Sequence, residues 1–336
     1  MTKNDLKIEI LHKINNKTKP PGSLGQIEEI ALQVGMAQKT EVPKVDKPQA
    51  LVFGADHGVC AEGVNPFPQK VTELMMANFS AGGAAMNVFC RSNDIPLQIV
   101  NLGIVNPEAK WPNVLDKTIA AGTKNLRREP AMSMIECERA MAVGEQLARD
   151  AVATGCNLLI IGEMGIGNTT SASALLSALT AQSAEFTVGP GTGASPEQIE
   201  TKITVINEAL KRCQSTDPLT ILAEVGGFEI AAMVGVLLTA EDLGCVVMVD
   251  GFISTAAALV AFKHQPSARD YWLFSHASAE PAHQLMIIEL DAKPILNLSL
   301  HLGEGTGAAL AYPLVKCAVA MLNEMATFQS AGIITE

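Results

Sequence analysis

The sequence predicts an α/β fold in which a parallel sheet is covered by helices on both faces. Short apolar runs alternate along the chain with longer, helix-spaced stretches. Polar and glycine residues follow those runs with regularity, as strand ends open onto a ligand crevice in such sheets. Aromatic residues make up only 4% of the chain while Ala, Gly and Val abound, which favours helices packed closely on a sheet.

Taken in order, residues 5–15 read as an amphipathic helix through Leu6, Ile8, Ile10, Leu11 and Ile14. "KTKPPGSLGQ" ends it, and Ile27–Met36 begins a second helix. Strands are expected at Ala50–Phe53, Leu97–Val100, Leu158–Ile161, Val246–Val249 and Tyr271–Phe274. Helices are expected between them at Val71–Cys90, Met134–Ala153, Ile199–Cys213, Gly227–Leu238 and Ser254–Phe262. After four of the strands come "GADHG", "GEMGIGN", "DGF" and "SHASAE". Asp56, His57, Glu163, Asp250, Ser275 and Ser278 would therefore converge along one sheet edge.

With 336 residues, the chain is long enough for one large domain or two smaller ones, and 48% apolar content supplies a sizeable core. A net charge of -11 argues against nucleic-acid or anionic-membrane partners, which need a basic face. Seven scattered cysteines without a C-x-x-C read as reduced thiols of a cytoplasmic protein. The polar start "MTKNDLKIEI" predicts no signal peptide, and interrupted apolar stretches predict no membrane span.

Three glycine loops carry the chemistry. "LLIIGEMGIGNTTSAS" (158–173) reads as strand, glycine turn and helix. It lacks the G-K-[ST] of a Walker A loop, but free N–H groups at a helix start bind phosphate without a lysine. "VGPGTGAS" (188–195) precedes a helix near Pro196 that carries Lys202, either a solvated lysine or a cation for the same anion. "HLGEGTGAALA" (301–311) sets Glu304 between glycines before an apolar helix, as a dipole partner or an exposed acid facing a flat ligand. Asp250 could hold a ligand hydroxyl or cap a helix. "ADHGV" (55–59) has no companion ligands at metal-binding spacing, and "KPPGSLG" (19–25) serves equally as a stiff connector.

In order, "KPPGSLG", "ADHGV", "NFSAGGAAMNV", "GEMGIGNTT", "GPGTG", "DGFISTAAAL", "SHASAE", "LGEGTGAALA" and "MATFQSAGI" span nearly the whole chain. This set resembles the nicotinate-nucleotide:dimethylbenzimidazole phosphoribosyltransferases. The resemblance implies a Rossmann-like parallel sheet with helices on both faces, at residues 35–300. It also implies a small helical domain from residues 1–34 and 301–336. The implied reaction moves the 5-phosphoribosyl group of nicotinate mononucleotide to 5,6-dimethylbenzimidazole or a related base in cobalamin assembly. It needs no metal or cofactor, and the implied assembly is a homodimer whose subunits complete each other's sites.

Carried over position by position, Glu304 is the implied proton acceptor. Gly165, Ile166, Gly167, Asn168, Gly191, Lys202 and Ser278 are implied to hold phosphate and ribose. Glu163 is implied to serve the ribose hydroxyls or the acceptor's edge, with Asp250, Ser275 and Gly303 as further substrate contacts. The acceptor side departs from the family pattern. Asn65 replaces a frequent Ser, and Glu73 and Leu74 stand where a Gln is common. Asn101 and Asn297 stand where acids are common, and His301 where an Arg is. The acceptor stays open between dimethylbenzimidazole, another benzimidazole, adenine and a phenol. Two rivals remain: an oxidoreductase binding a nicotinamide dinucleotide, disfavoured by the missing G-x-G-x-x-G, and a non-catalytic nucleotide-binding homologue.

Overall fold

The computed structural model describes residues 2–191 and 193–333; Thr192 of the second glycine loop and residues 334–336 lie outside them. Helices α1 (Lys3–Asn15) and α2 (Gln26–Ala37) precede β1 (Pro48–Ala55). Then come α3 (Lys70–Ala81), α4 (Ala85–Ser92), β2 (Leu97–Gly103), β3 (Val114–Asp116) and α5 (Met134–Ala153). Next are β4 (Leu158–Met164), α6 (Asn168–Thr180), α7 (Ala184–Thr187), α8 (Pro196–Arg212), α9 (Pro218–Val225) and α10 (Phe228–Leu243). The chain finishes with β5 (Val246–Val249), α11 (Phe252–His264), β6 (Trp272–Phe274), α12 (His283–Glu289) and α13 (Thr306–Glu324).

All pairings in the six-stranded sheet are parallel, in the order β3-β2-β1-β4-β5-β6. The chain winds outward one way from β1 and the other way from β4, so the crevice for a ligand opens beyond the ends of these two strands. Both are buried almost throughout, which is why their sequences are continuous apolar runs and do not alternate. Glu163 pairs in register with Phe53, and the ladder between β1 and β2 shifts at Gly54/Ala55 as the chain leaves the sheet.

One expected helix is broken. Residues 71–90 form two helices because Gly82 adopts a left-handed φ of 81° and its N–H closes α3 on Asn78 and Phe79. Tyr271 ends a 3₁₀ turn and does not belong to β6.

The two chain ends meet. Thr18 N–H donates to Ala326 O at 2.9 Å, Phe328 N–H to Asn16 O at 3.1 Å, and Lys17 bridges Thr327. One continuous apolar core joins α1, α2 and α13 to the sheet. Among the described residues α13 alone is long and apolar enough to cross a membrane, and 61% of that stretch is buried inside the fold.

Helices α5 and α10 touch backbone to backbone. A Cβ on Gly235 would strike the Met141 carbonyl, and one on Gly144 the Ala232 carbonyl. Neither obstacle is a side chain that could swing aside. Gly235→Val should cost about 3 kcal/mol. That corresponds to a fall in Tm on the order of 4 °C by calorimetry.

Candidate active site

At the carboxyl end of the sheet the loops after β4, β5 and β6 meet the segment before α13 around a cavity of about 200 Å³. Nine predicted positions line it: Glu163, Gly165, Ile166, Asn168, Gly191, Asp250, Ser278, Gly303 and Glu304. Sequence reasoning missed Thr169, His276 and Glu280, and also an apolar wall of Phe67, Val71 and Met75. The i, i+4 spacing of that wall was visible in "NPFPQKVTELM". A larger open groove of about 910 Å³ runs along β1–β3, but the acids on it, Asp116 and Asp150, are exposed and no glycine loop reaches it.

Glu304 is 5% exposed and sits at a left-handed φ of 65°, just before the cap of α13. One carboxylate oxygen accepts the Met86 N–H at 3.2 Å, in the first turn of α4. Burial raises its pKa above the ordinary carboxylate value, the Met86 hydrogen bond opposes that rise, and the charge of Asp250 adds to it.

Asp250 neither caps its own helix nor stands free. Its two oxygens accept the Gly305 and Ala308 N–H groups, each at 3.1 Å, so it caps α13 across the crevice. His276 Nε2 lies 3.5 Å from the same carboxylate.

Glu163 is 5% exposed, accepts from the Asn168 side chain and faces Gly303. Burial first, then the charges of Glu229 and Asp250, push its pKa up to about 8. It therefore holds its proton at neutral pH.

The glycine loop departs in detail from its expected use. Ile166 N–H donates to Thr72 Oγ1 at 3.1 Å and Asn168 N–H to Gly165 O at 3.1 Å, so neither faces a ligand. The N–H groups of Gly167 and Thr169 have no acceptor among the described residues. Lys202 stands one layer behind the wall, 2% exposed, with Nζ 3.4 Å from Thr169 Oγ1. Burial lowers its pKa, against the pull of Glu280.

The loop "SHASAE" is pinned by His283, whose Nδ1 accepts the Ser278 N–H at 3.0 Å. Burial depresses the pKa of that imidazole to about 3, so it is neutral and free to accept.

The remaining predicted positions lie off the cavity. Gly167 caps α6 with a φ of 101°. Ser275 is fully buried, its hydroxyl 3.4 Å from Asp250 O. The Asn65 amide meets Cys60 Sγ at 3.4 Å, and Glu73 pairs with Lys70 at 2.5 Å and Asn106 at 3.3 Å. Among the described residues no group of His, Cys, Asp and Glu is arranged to hold a metal.

The raised pKa of Glu163 has a consequence for stability. Between 4.5, its ordinary value, and about 8 the folded state holds a proton that the unfolded state releases, so stability falls as pH rises through that window. Glu163→Gln removes the loss. The variant's stability advantage over wild type should grow from pH 5 to pH 8.5, reaching on the order of a few kcal/mol. A pH-independent difference in thermal melts would contradict the assignment.

A phosphoribosyltransferase family model matches residues 1–333. A nicotinate-nucleotide–dimethylbenzimidazole phosphoribosyltransferase of Vibrio vulnificus is 46% identical over 333 residues, covering 97% of each chain. The enzyme of that name from Shewanella frigidimarina is 46% identical over 340 residues, covering 98% of this chain and 97% of the other. The crystal structure of CobT from Thermus thermophilus superposes with a TM-score of 0.95 at 41% identity, covering 99% of this chain and all of that one. A six-stranded parallel sheet with this strand order, a crevice at its reversal point and a match that runs from end to end place the chain in this phosphoribosyltransferase family.

Proposed function

We propose that the protein transfers the 5-phosphoribosyl group of nicotinate mononucleotide to a nitrogen of 5,6-dimethylbenzimidazole or a related flat azole, as a cytoplasmic homodimer. The products are the α-ribazole 5′-phosphate and nicotinate. The observation that carries this reading is Glu304, a buried carboxylate with one oxygen fixed by Met86, in the same cavity as the glycine loop and an apolar wall.

In this reading the donor's phosphate meets the Thr169 N–H group at the start of α6, with the Lys202 ammonium behind it. The azole lies against Phe67, Val71 and Met75, its N–H toward Glu304. The opposite ring nitrogen attacks C1′ with its lone pair. As that bond forms, the C1′–pyridinium bond breaks and its electrons pass to the pyridine nitrogen, which becomes neutral. The azole proton goes to Glu304, and C1′ inverts. The leaving group needs no acid, because it departs by losing its own positive charge. The Glu304 carboxylate stands in the same cavity as the sugar while positive charge develops on it.

The grouping of residues 1–34 with 301–336 as a small helical unit belongs to the same proposal, since Glu304 directly precedes α13 and the chain ends join just past that helix's other end. An oxidoreductase using a nicotinamide dinucleotide would place G-x-G-x-x-G after β1, where "ADHGV" stands.

Glu304→Gln should lower kcat by about 10²–10⁴-fold while nucleotide affinity survives. Near-normal nicotinate release, followed by chromatography with a panel of bases, would remove the base assignment; the same panel identifies the acceptor. In the wild type, kcat/KM should fall on the acid side through a pKa above 4.5, because burial raises that of Glu304 and only the ionised form accepts a proton. Lys202→Met should weaken nucleotide binding by about tenfold or more and leave KM for the azole unchanged.

A further inference from the structure

Beneath the glycine loop lies a line of three polar side chains that the transfer reaction does not use. His57 Nε2 is 2.6 Å from Glu229 Oε1, and His57 Nδ1 is 3.1 Å from Ser171 Oγ. Serine, histidine and carboxylate in this order mimic a nucleophilic triad. All three are completely buried, however, and none lines the cavity, so no substrate carbonyl can reach Ser171.

The surroundings point to another role. The imidazole occupies a slot made by three glycines. A Cβ on Gly165 would lie 3.2 Å from its Cδ2, one on Gly167 3.0 Å from its Cβ, and one on Gly227 would collide with its Cε1. Two of these glycines belong to the loop after β4, so the ring and the loop fix each other's place. The three polar partners come from three elements: the end of β1, the first turn of α6 and the first turn of α10. Two neighbours complete the hold. Cys60, whose pKa burial lifts to about 12, keeps its proton and donates it to Ile166 O at 3.0 Å. Thr72 accepts the Ile166 N–H.

We propose that His57 is a positioning residue for the donor's phosphate. Bridging Glu229 and Ser171 within the glycine slot, it holds the loop in the form that leaves the N–H of Thr169, at the cavity wall, open to the phosphate. This rests on the reading that the phosphate binds there.

The test is a calorimetric titration of nicotinate mononucleotide, and of the corresponding nucleoside without phosphate, into wild type, His57→Asn and Ser171→Ala. Wild type should prefer the nucleotide by about tenfold or more. His57→Asn should lose most of that preference while nucleoside affinity stays within about twofold, and Ser171→Ala should lose about threefold of it. Thermal melting checks that each variant is folded. Folded variants that keep the wild-type ratio would overturn the proposal. So would variants that lose both ligands equally, since that is the behaviour of a residue needed only for the fold. If His57→Asn does not fold, Ser171→Ala decides, because it removes one hydroxyl from an intact helix. A wild type that binds both ligands alike would remove the phosphate site, and the proposal with it.

Discussion

The site depends on one carboxylate that does no chemistry. Asp250, at the end of β5, accepts the Gly305 and Ala308 N–H groups and so ties the start of α13 to the sheet across 55 residues of chain. These are orphan donors of a helix N-terminus, and a charged acceptor satisfies them more strongly than water or a hydroxyl would. With α13 anchored there, its preceding residue Glu304 is forced over the reversal point of the sheet. Gly162 completes the fit: a Cβ at that strand position would collide with the Glu304 carbonyl. The left-handed backbone at Glu304, unfavourable for a residue with a side chain, is held by this clamp and by Met86.

Much of this architecture was legible because parallel strands buried on both faces write themselves as plain apolar runs. The order in which polar loops follow those runs also located the crevice. The edge strand β3 was not legible: its three residues, "VLD", are too few for any period. The break after α3 was written in "AGG", but a glycine pair inside an apolar helical pattern also reads as a close-packing site.

The residues of the site were legible by type and not by assignment. Of the loop glycines Gly162, Gly165 and Gly167, the last two were expected to hold phosphate and ribose. The first makes room for the Glu304 backbone and the other two for the His57 ring. Ile166 was read as a phosphate donor, yet its N–H is taken by Thr72, 94 residues earlier. Such pairings are set by where the sheet order places β1 beside β4, and no local pattern encodes them. The acceptor-side positions Asn65 and Glu73 show the same limit, since each turns to a neighbour on its own side of the cavity wall.

The charge balance of the crevice explains why its acids are tolerated. Glu163, Asp250, Glu229 and Glu304 are all buried within the same region, with Lys202 and His276 as nearby basic groups. Burial disfavours each charge and the like charges repel one another, and the raised pKa of Glu163 is the outcome. In the proposed reaction the donor sets its pyridinium ring among these acids. Transfer then removes two charges together: the pyridinium becomes a neutral ring as its bond breaks, and Glu304 is neutralised by the azole proton. A positive and a negative charge vanish inside a desolvated cavity, where separated charges are least stable. The same burial that makes Glu304 a costly residue in the free protein therefore favours the proton transfer it is proposed to accept.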